Sequence, residues 1–312
     1  MIISASYKTD IPAFYGDWFI NRLRAGYCKM ANPYNKRAIK VPLRREDVDG
    51  IVFWTKNIGP FLEHLSEIRE RGYPFTIQYA INGYPRAFES SVVDAVKSVE
   101  HVQRISAECG PRVCVWRYDT IIVSSLTPIE FHLHNFERIA SALRGAVDEV
   151  VVSFMQLYKK TARHMNEAAC CHGFRWEDPT CDEKRTIISN LAEIAAGYGM
   201  QLAVCAQREY LVPGVKDASC IDVKRLSDVA GVPVYAPQKG GRSTCGCFAS
   251  RDIGEYDTCP HGCIYCYAVS SPEKAKKCFR EHDPEGEFLF KGLGVKDASG
   301  DEGMTSPQLP LF

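Results

Sequence analysis

The chain has 312 residues, 46% of them hydrophobic, and its 38 basic side chains balance 38 acidic ones. That length allows one large α/β domain or two ordinary ones, and the charge balance excludes a globally basic field as the route to nucleic acid, leaving only local patches. There is no basic stretch followed by an apolar core at the start, and no run approaches the roughly 20 apolar residues of a membrane span, so a cytoplasmic protein without membrane contact is expected; there its 14 cysteines bind metal where they cluster and do not pair as disulfides.

Short β-rich runs alternate with helical patterns. The runs are IISAS (2–6), GIVFWT (50–55), PFTIQYAI (74–81), RVCVWRYDTIIV (112–123), EVVVSFMQ (149–156), QLAVCAQ (201–207) and VPVYA (232–236). Between them lie helical segments over 60–72, 90–109, 128–145, 184–199 and 220–231, each but the second ending in glycine, the usual helix stop. The alternation predicts an α/β fold of parallel strands with crossover helices, either a barrel or a doubly wound sheet, and polar residues recurring at the strand ends favour a TIM-like (β/α) barrel, complete or partial, over residues 1–237. No glycine-rich phosphate loop follows the first run, which argues against a dinucleotide-binding sheet. A cysteine-rich segment, 238–290, is expected to pack on the barrel mouth, and 291–312 reads as a flexible tail too poor in apolar residues to pack.

Polar residues fall at the C-terminal ends of the strands, the edge where such folds bind ligands: Lys8, Thr9 and Asp10, then Thr55, Lys56 and Asn57, then Asn82, Arg117 with Asp119, Gln156 and Gln207. Lys56, Arg117 and Asp119 are the candidate catalytic groups, because charges on strands need a partner or a ligand. A plain Arg117–Asp119 salt bridge fits equally, since the two point the same way from a strand. Trp54, Tyr79, Trp116, Tyr118 and Phe154 either line a cavity or are core. Residues 26–45 read as an extended or hairpin excursion or, more economically, as a solvated loop. Scattered Cys28, Cys109, Cys114 and Cys205 read as small buried hydrophobes. Cys170 and Cys171 fall in a polar stretch read as a loop.

The C-terminal segment carries Cys245 and Cys247 as one close pair and Cys259, Cys263 and Cys266 as a tighter trio, in CPHGCIYC. Structural zinc asks for four ligands, usually two pairs separated by two residues, and only Cys263 and Cys266 form such a pair. A closed electron-transfer cluster would recruit Cys245 or Cys247, at spacings unlike those of ferredoxins. The third reading is a 4Fe-4S cluster on three thiolates, with one iron open as a catalytic centre requires.

Three cysteines spaced three and then two residues apart, with an aromatic before the last, resemble the cluster loop of radical S-adenosylmethionine enzymes. Cys259, Cys263, Tyr265 and Cys266 fall on that motif one by one. The resemblance implies a 4Fe-4S cluster on Cys259, Cys263 and Cys266, S-adenosylmethionine on the open iron with Tyr265 beside it, a 5'-deoxyadenosyl radical, and a reductant such as flavodoxin or ferredoxin. TDIPAFY, FWTKN, RYD, DIGEYDTCPHGCIYCYA and HDPEGEFL also resemble the bacterial family known as domain of unknown function 1848, over residues 1 to about 290; this implies a barrel with such a cluster and supplies no reaction. Most radical enzymes carry the trio after the first strand. In a barrel the last strand neighbours the first, so Ser4, Ser6 and Lys8 are expected to approach the cluster and its cofactor from the other end of the chain. Lys239 to Arg242 are a linker or offer backbone to the methionine moiety, and His261 is expected only to hydrogen-bond.

The chain ends in QLPLF, which resembles the pentapeptide that binds the bacterial sliding clamp: Leu309, Leu311 and Phe312 would fill an apolar pocket and Gln308 bond at its edge. A clamp partner implies proximity to DNA. The expected function is then a radical lyase or hydrogen-abstracting enzyme acting on DNA or a damaged base, similar to spore-photoproduct-lyase repair. The alternative is a non-enzymatic repair-associated protein with a structural zinc or closed iron-sulfur site.

Overall fold

The apolar runs fold as strands where β-branched and aromatic residues are densest. The computed structural model describes residues 1–32, 35–239, 244–292 and 295. Its strands in chain order are β1 (Ile2–Ala5), β2 (Tyr27–Ala31), β3 (Ala38–Pro42), β4 (Gly50–Thr55), β5 (Phe75–Ala80), β6 (Cys114–Ile121), β7 (Val123–Ser124), β8 (Glu149–Phe154), β9 (Trp176–Glu177), β10 (Gln201–Val204), β11 (Lys216–Asp217) and β12 (Arg251–Asp252). One sheet runs β11-β10-β8-β6-β5-β4-β1-β12, with every neighbouring pair parallel.

That order follows the chain, except that β12 returns beside β1, Ser4 opposite Asp252. The expected ring closure is not present. Among the described residues β11 and β12 remain the edges, so the protein is a mixed α/β fold on an open parallel sheet. Each edge strand has two residues, too few to carry a hydrophobic pattern, and neither is visible as a strand in the sequence. VPVYA, expected as the seventh strand, is irregular instead: Pro233 removes a ladder donor and Tyr235 is exposed.

The helices are α1 (Ile11–Phe14), α2 (Gly16–Ala25), α3 (His64–Glu70), α4 (Ala95–Cys109), α5 (Ile129–Ala142), α6 (Lys159–His172), α7 (Cys181–Gly197), α8 (Val223–Ala230) and α9 (Pro272–Arg280). Asp94 caps α4 by accepting from Val96 N at 2.8 Å, and Thr180 with Glu183 forms a reciprocal capping box on α7. The sequence reading misses α6 because it buries only a narrow stripe, Thr161, Met165 and Ala168. Cys170 and Cys171 therefore sit in its last turn, exposed, and not in a loop. Residues 26–45 form a hairpin and not the plain solvated loop that the sequence favours: β2 and β3 pair antiparallel, and Lys29 N donates to Glu287 O at 2.7 Å.

Alternation within the strands separates two apolar layers. Phe53, Ile77, Trp116, Val150 and Val152 face the helices, where Trp116 stacks on Phe136 with ring centroids 4.6 Å apart. Truncating such a side chain to alanine costs about 3–5 kcal/mol. Val52 on the other face meets Cys220, Ile221 and Leu226, while Val115, Val151, Ala203 and Ala218 pack together beside them. Helix α8 closes this inner face at the strand starts: Arg225 bonds Arg112 O at 2.8 Å and Asp148 and Glu149 at 2.9 Å. What stays open is the C-terminal edge. No helix among the described residues is long and apolar enough to cross a membrane.

Candidate functional site

At that edge the strand ends surround a cavity of about 340 Å³. The loop bearing Cys259, Cys263 and Cys266 follows β12, and all three cysteines line the cavity. Gly262 takes φ +71° and a Cβ there would collide with Ser90 Oγ, so the turn between the first two cysteines requires glycine. The loop is anchored at several points: Ser91 N donates to His261 O at 3.0 Å, Ile264 N to Phe88 O at 3.1 Å, Lys160 Nζ to Tyr267 O at 2.6 Å, and Tyr267 OH to Tyr7 O at 2.7 Å.

The sulfurs receive backbone donors. Ala268 N points at Cys266 Sγ at 3.4 Å, and the backbone N–H groups of His261 and Asp10 point at Cys259. Burial raises all three thiols above the ordinary cysteine value, and at Cys263 the Lys56 ammonium opposes it. Unliganded, they are neutral thiols; a metal binding there would displace their protons while the backbone dipoles offset the charge.

Lys56 Nζ meets Glu89 Oε1 at 2.8 Å, Tyr265 OH donates to the same oxygen, and Asn82 Nδ2 lies 3.1 Å from Tyr265 OH. Burial works against the lysine charge, but Glu89 and Cys263 outweigh it and hold its pKa above the ordinary lysine value. Tyr265 thus ties the loop to the end of β4. Asp10 adds a second tie, accepting from Lys56 N at 2.7 Å and pairing with His261 Nε2 at 2.7 Å, as expected of a histidine that hydrogen-bonds.

Ser4, Ser6 and Lys8 do reach this region from the start of the chain. Asp252 gathers them, accepting from Ser4 Oγ at 2.8 Å, Ser6 Oγ at 2.6 Å, Tyr7 N at 3.0 Å and Gly254 N at 3.1 Å, with Lys8 Nζ at 3.5 Å. Ser6 and Lys8 line the cavity, whereas Ser4 is fully buried between Asp252 and Trp54.

Arg117 and Asp119 form the salt bridge and line the cavity together. Burial disfavours the Asp119 carboxylate, but Arg117 outweighs it and its pKa is lowered. Arg117 also bonds Gln78 Oε1 at 3.1 Å and Cys220 Sγ at 2.8 Å, and lies over the Trp54 ring at 5.3 Å. Trp54 and Phe154 line the cavity; Tyr79, Trp116 and Tyr118 are core.

Four more cysteines face the same space: Cys205, Cys220, Cys245 and Cys247. Cys205 Sγ lies 3.5 Å from Cys220 Sγ, and Ile221 N donates to Cys247 Sγ at 3.4 Å. Cys220 and Cys247 share an apolar cluster with Cys205 and Cys245 packed against it, and the neighbouring Cys247 brings the Cys245 thiol down to about 7. Cys205 packs against two apolar clusters, as expected of a small hydrophobe, and also lines the cavity, while Cys28 and Cys114 are core. Among the described residues, no three histidine, cysteine, aspartate or glutamate side chains are grouped to hold one metal ion.

Sequence reasoning misses Glu89 and Asp252, which lie in segments without periodicity, and Cys220, which opens a helical pattern and carries no spacing of its own. Asp10 carries a signal, its place after the first strand. Lys239 lines the cavity, while Gly240, Gly241 and Arg242, like Gln308, Leu309, Leu311 and Phe312, lie outside the described residues.

Fold and site together define a parallel α/β protein whose strand ends carry a cysteine-lined cavity. A family model described as Domain of unknown function (DUF1848) matches residues 2–268, and the chain belongs to that family. No curated protein and no solved structure matches it significantly.

Proposed function

We propose that this is an iron-sulfur enzyme of the radical S-adenosylmethionine type, on a parallel barrel left open at one seam. The observation that carries the reading is the loop itself: three thiols spaced three and two residues apart, all lining one cavity, two of them receiving backbone N–H groups. A 4Fe-4S cluster takes one thiolate per iron, so its ligands need not converge on a point as those of zinc must. Cys259, Cys263 and Cys266 would hold it, leaving one iron for S-adenosylmethionine. Bound there and reduced by an external one-electron donor, the cluster would pass one electron to S-adenosylmethionine, breaking a carbon–sulfur bond to give methionine and a 5'-deoxyadenosyl radical.

The chain's own residues have three tasks. Lys56 lowers the cost of negative charge at Cys263, and Glu89 and Tyr265 fix the loop that presents it. Ser6 and Lys8 form the wall contributed by the N-terminal strand. Trp54 and Phe154 keep water from the reacting space, and Arg117 with Asp119 offers polar anchors on its far side.

The rival, a structural zinc or closed cluster in a non-enzymatic protein, needs a fourth thiolate from Cys245 or Cys247. Both belong to the Cys220 group, which favours the open trio. Action on DNA or a damaged base rests on QLPLF alone and is the outermost part of the proposal. Anaerobic reconstitution followed by electron paramagnetic resonance with and without S-adenosylmethionine tests the core of it: the reduced cluster's signal should change on adding the cofactor. An unchanged signal sinks the reading.

A further inference from the structure

A second thiol group stands in the same cavity with no part in the reading above. Cys205 leaves the end of β10, Cys220 follows β11, and Cys245 and Cys247 come from a segment packed along that exit, where Ser219 Oγ donates to Gly246 O at 3.1 Å and Phe248 N to Ile221 O at 3.0 Å. Three separate stretches of chain deliver four sulfurs to one wall. The four sulfurs share one cluster with Ile221 and Phe248, an arrangement open either to small buried hydrophobes or to thiolate ligands.

The spacing narrows the choice. Two thiolates on one tetrahedral iron or zinc, each bonded at about 2.3 Å, lie about 3.7 Å apart. Cys205 and Cys220 stand at 3.5 Å. A single ion would gather all four sulfurs, yet no three ligands among the described residues are so grouped. A two-iron cluster asks each iron for only two protein thiolates. We propose that Cys205, Cys220, Cys245 and Cys247 bind a [2Fe-2S] cluster, with Cys205 and Cys220 on one iron and Cys245 and Cys247 on the other.

The assembly balances. Two ferric ions, two sulfides and four thiolates give a cluster of net charge minus two without electron exchange, and the four thiol protons pass to solvent. Arg117, with Nη1 2.8 Å from Cys220 Sγ, offsets part of that charge. Its position next to the cavity suits a one-electron carrier that serves whatever chemistry occurs there.

The test is metal counting on full-length protein purified anaerobically, with iron, zinc and acid-labile sulfide measured together and Mössbauer spectra on the same samples. With both sites filled, the wild type should hold about six irons and six sulfides per chain, as two spectral components. C205S/C220S and C245S/C247S should each lose about two irons and the two-iron component only. C259S/C263S/C266S should keep the two-iron component, whatever the fate of S-adenosylmethionine binding; the two sites therefore fail separately. Zinc at the four thiols, a Cys205–Cys220 disulfide in the anaerobic protein, or a wild-type Mössbauer spectrum without a [2Fe-2S] component would each overturn the proposal, and the last needs no variant to fold.

Discussion

The two thiol groups of the cavity are built in opposite ways. Cys259, Cys263 and Cys266 come from eight consecutive residues, on a turn that Gly262 alone permits and that backbone N–H groups cradle. Cys205, Cys220, Cys245 and Cys247 come from three stretches joined by side-chain contacts. A local loop carries its spacing in the sequence and can be recognised there; a long-range assembly cannot. The difference also predicts how each breaks: the first with its turn, the second with the sheet edges that bring its parts together.

The largest separation should come from Cys263→Ser. Loss of one cluster thiolate should abolish S-adenosylmethionine cleavage, by a factor on the order of a thousand or more, while spectroscopy still finds the other group's thiols intact. Next is Asp252→Ala, which removes the acceptor shared by Ser4, Ser6, Tyr7 N and Gly254 N and frees Lys8. Breaking so buried a charged hub should cost about 3–5 kcal/mol in urea denaturation and reduce both groups' metal content together. Comparable stability in wild type and variant would mean that β12 is held by other means.

A change that should not discriminate between the groups is acid. His132, fully buried, is hydrogen-bonded to Tyr118 OH and Ile122 O at 2.9 Å each, and burial lowers its pKa to about 4. The folded histidine stays neutral while the unfolded one takes up a proton near 6.5, so stability is lost as pH falls from about 6.5 to about 4, by roughly 3 kcal/mol, and His132→Gln should flatten that slope. A smaller and selective effect belongs to Gly262→Ala, expected to lower iron retention in the trio through strain of about 1–2 kcal/mol and spare the other group. Smallest of all for the cavity is deletion of Gln308–Phe312: metal content should be unchanged while binding to a sliding clamp, measured by surface plasmon resonance, disappears. Equal binding by the truncated chain removes the case for DNA.

Much of the fold is legible in the sequence where strands are long. GIVFWT, PFTIQYAI and EVVVSFMQ announce themselves because each buries apolar side chains on both faces of the sheet. The edges are not legible: Lys216–Asp217 and Arg251–Asp252 are held by neighbours and not by propensity. The same division runs through the site. Arg117 and Asp119 stand out as charges on a strand, Lys56 as a charge directly after one, and the cysteine trio by its spacing. Glu89 in RAFESS and Cys220 before α8 have no local signature, because their partners lie 33 and 103 residues away.

The return of β12 to the side of β1 also sets a schedule. Ser4 and its acceptor Asp252 are 248 residues apart, and all seven cavity cysteines lie at or beyond position 205. As the chain leaves the ribosome, the strands from β1 to β8 can pair in order, but the wall that receives Ser4, Ser6 and Tyr7 is still unmade. Loading of the proposed cluster on Cys259, Cys263 and Cys266 would therefore wait until the chain has passed position 266, whereas a nascent protein stalled before Asp252 would already carry Cys205, Cys220, Cys245 and Cys247.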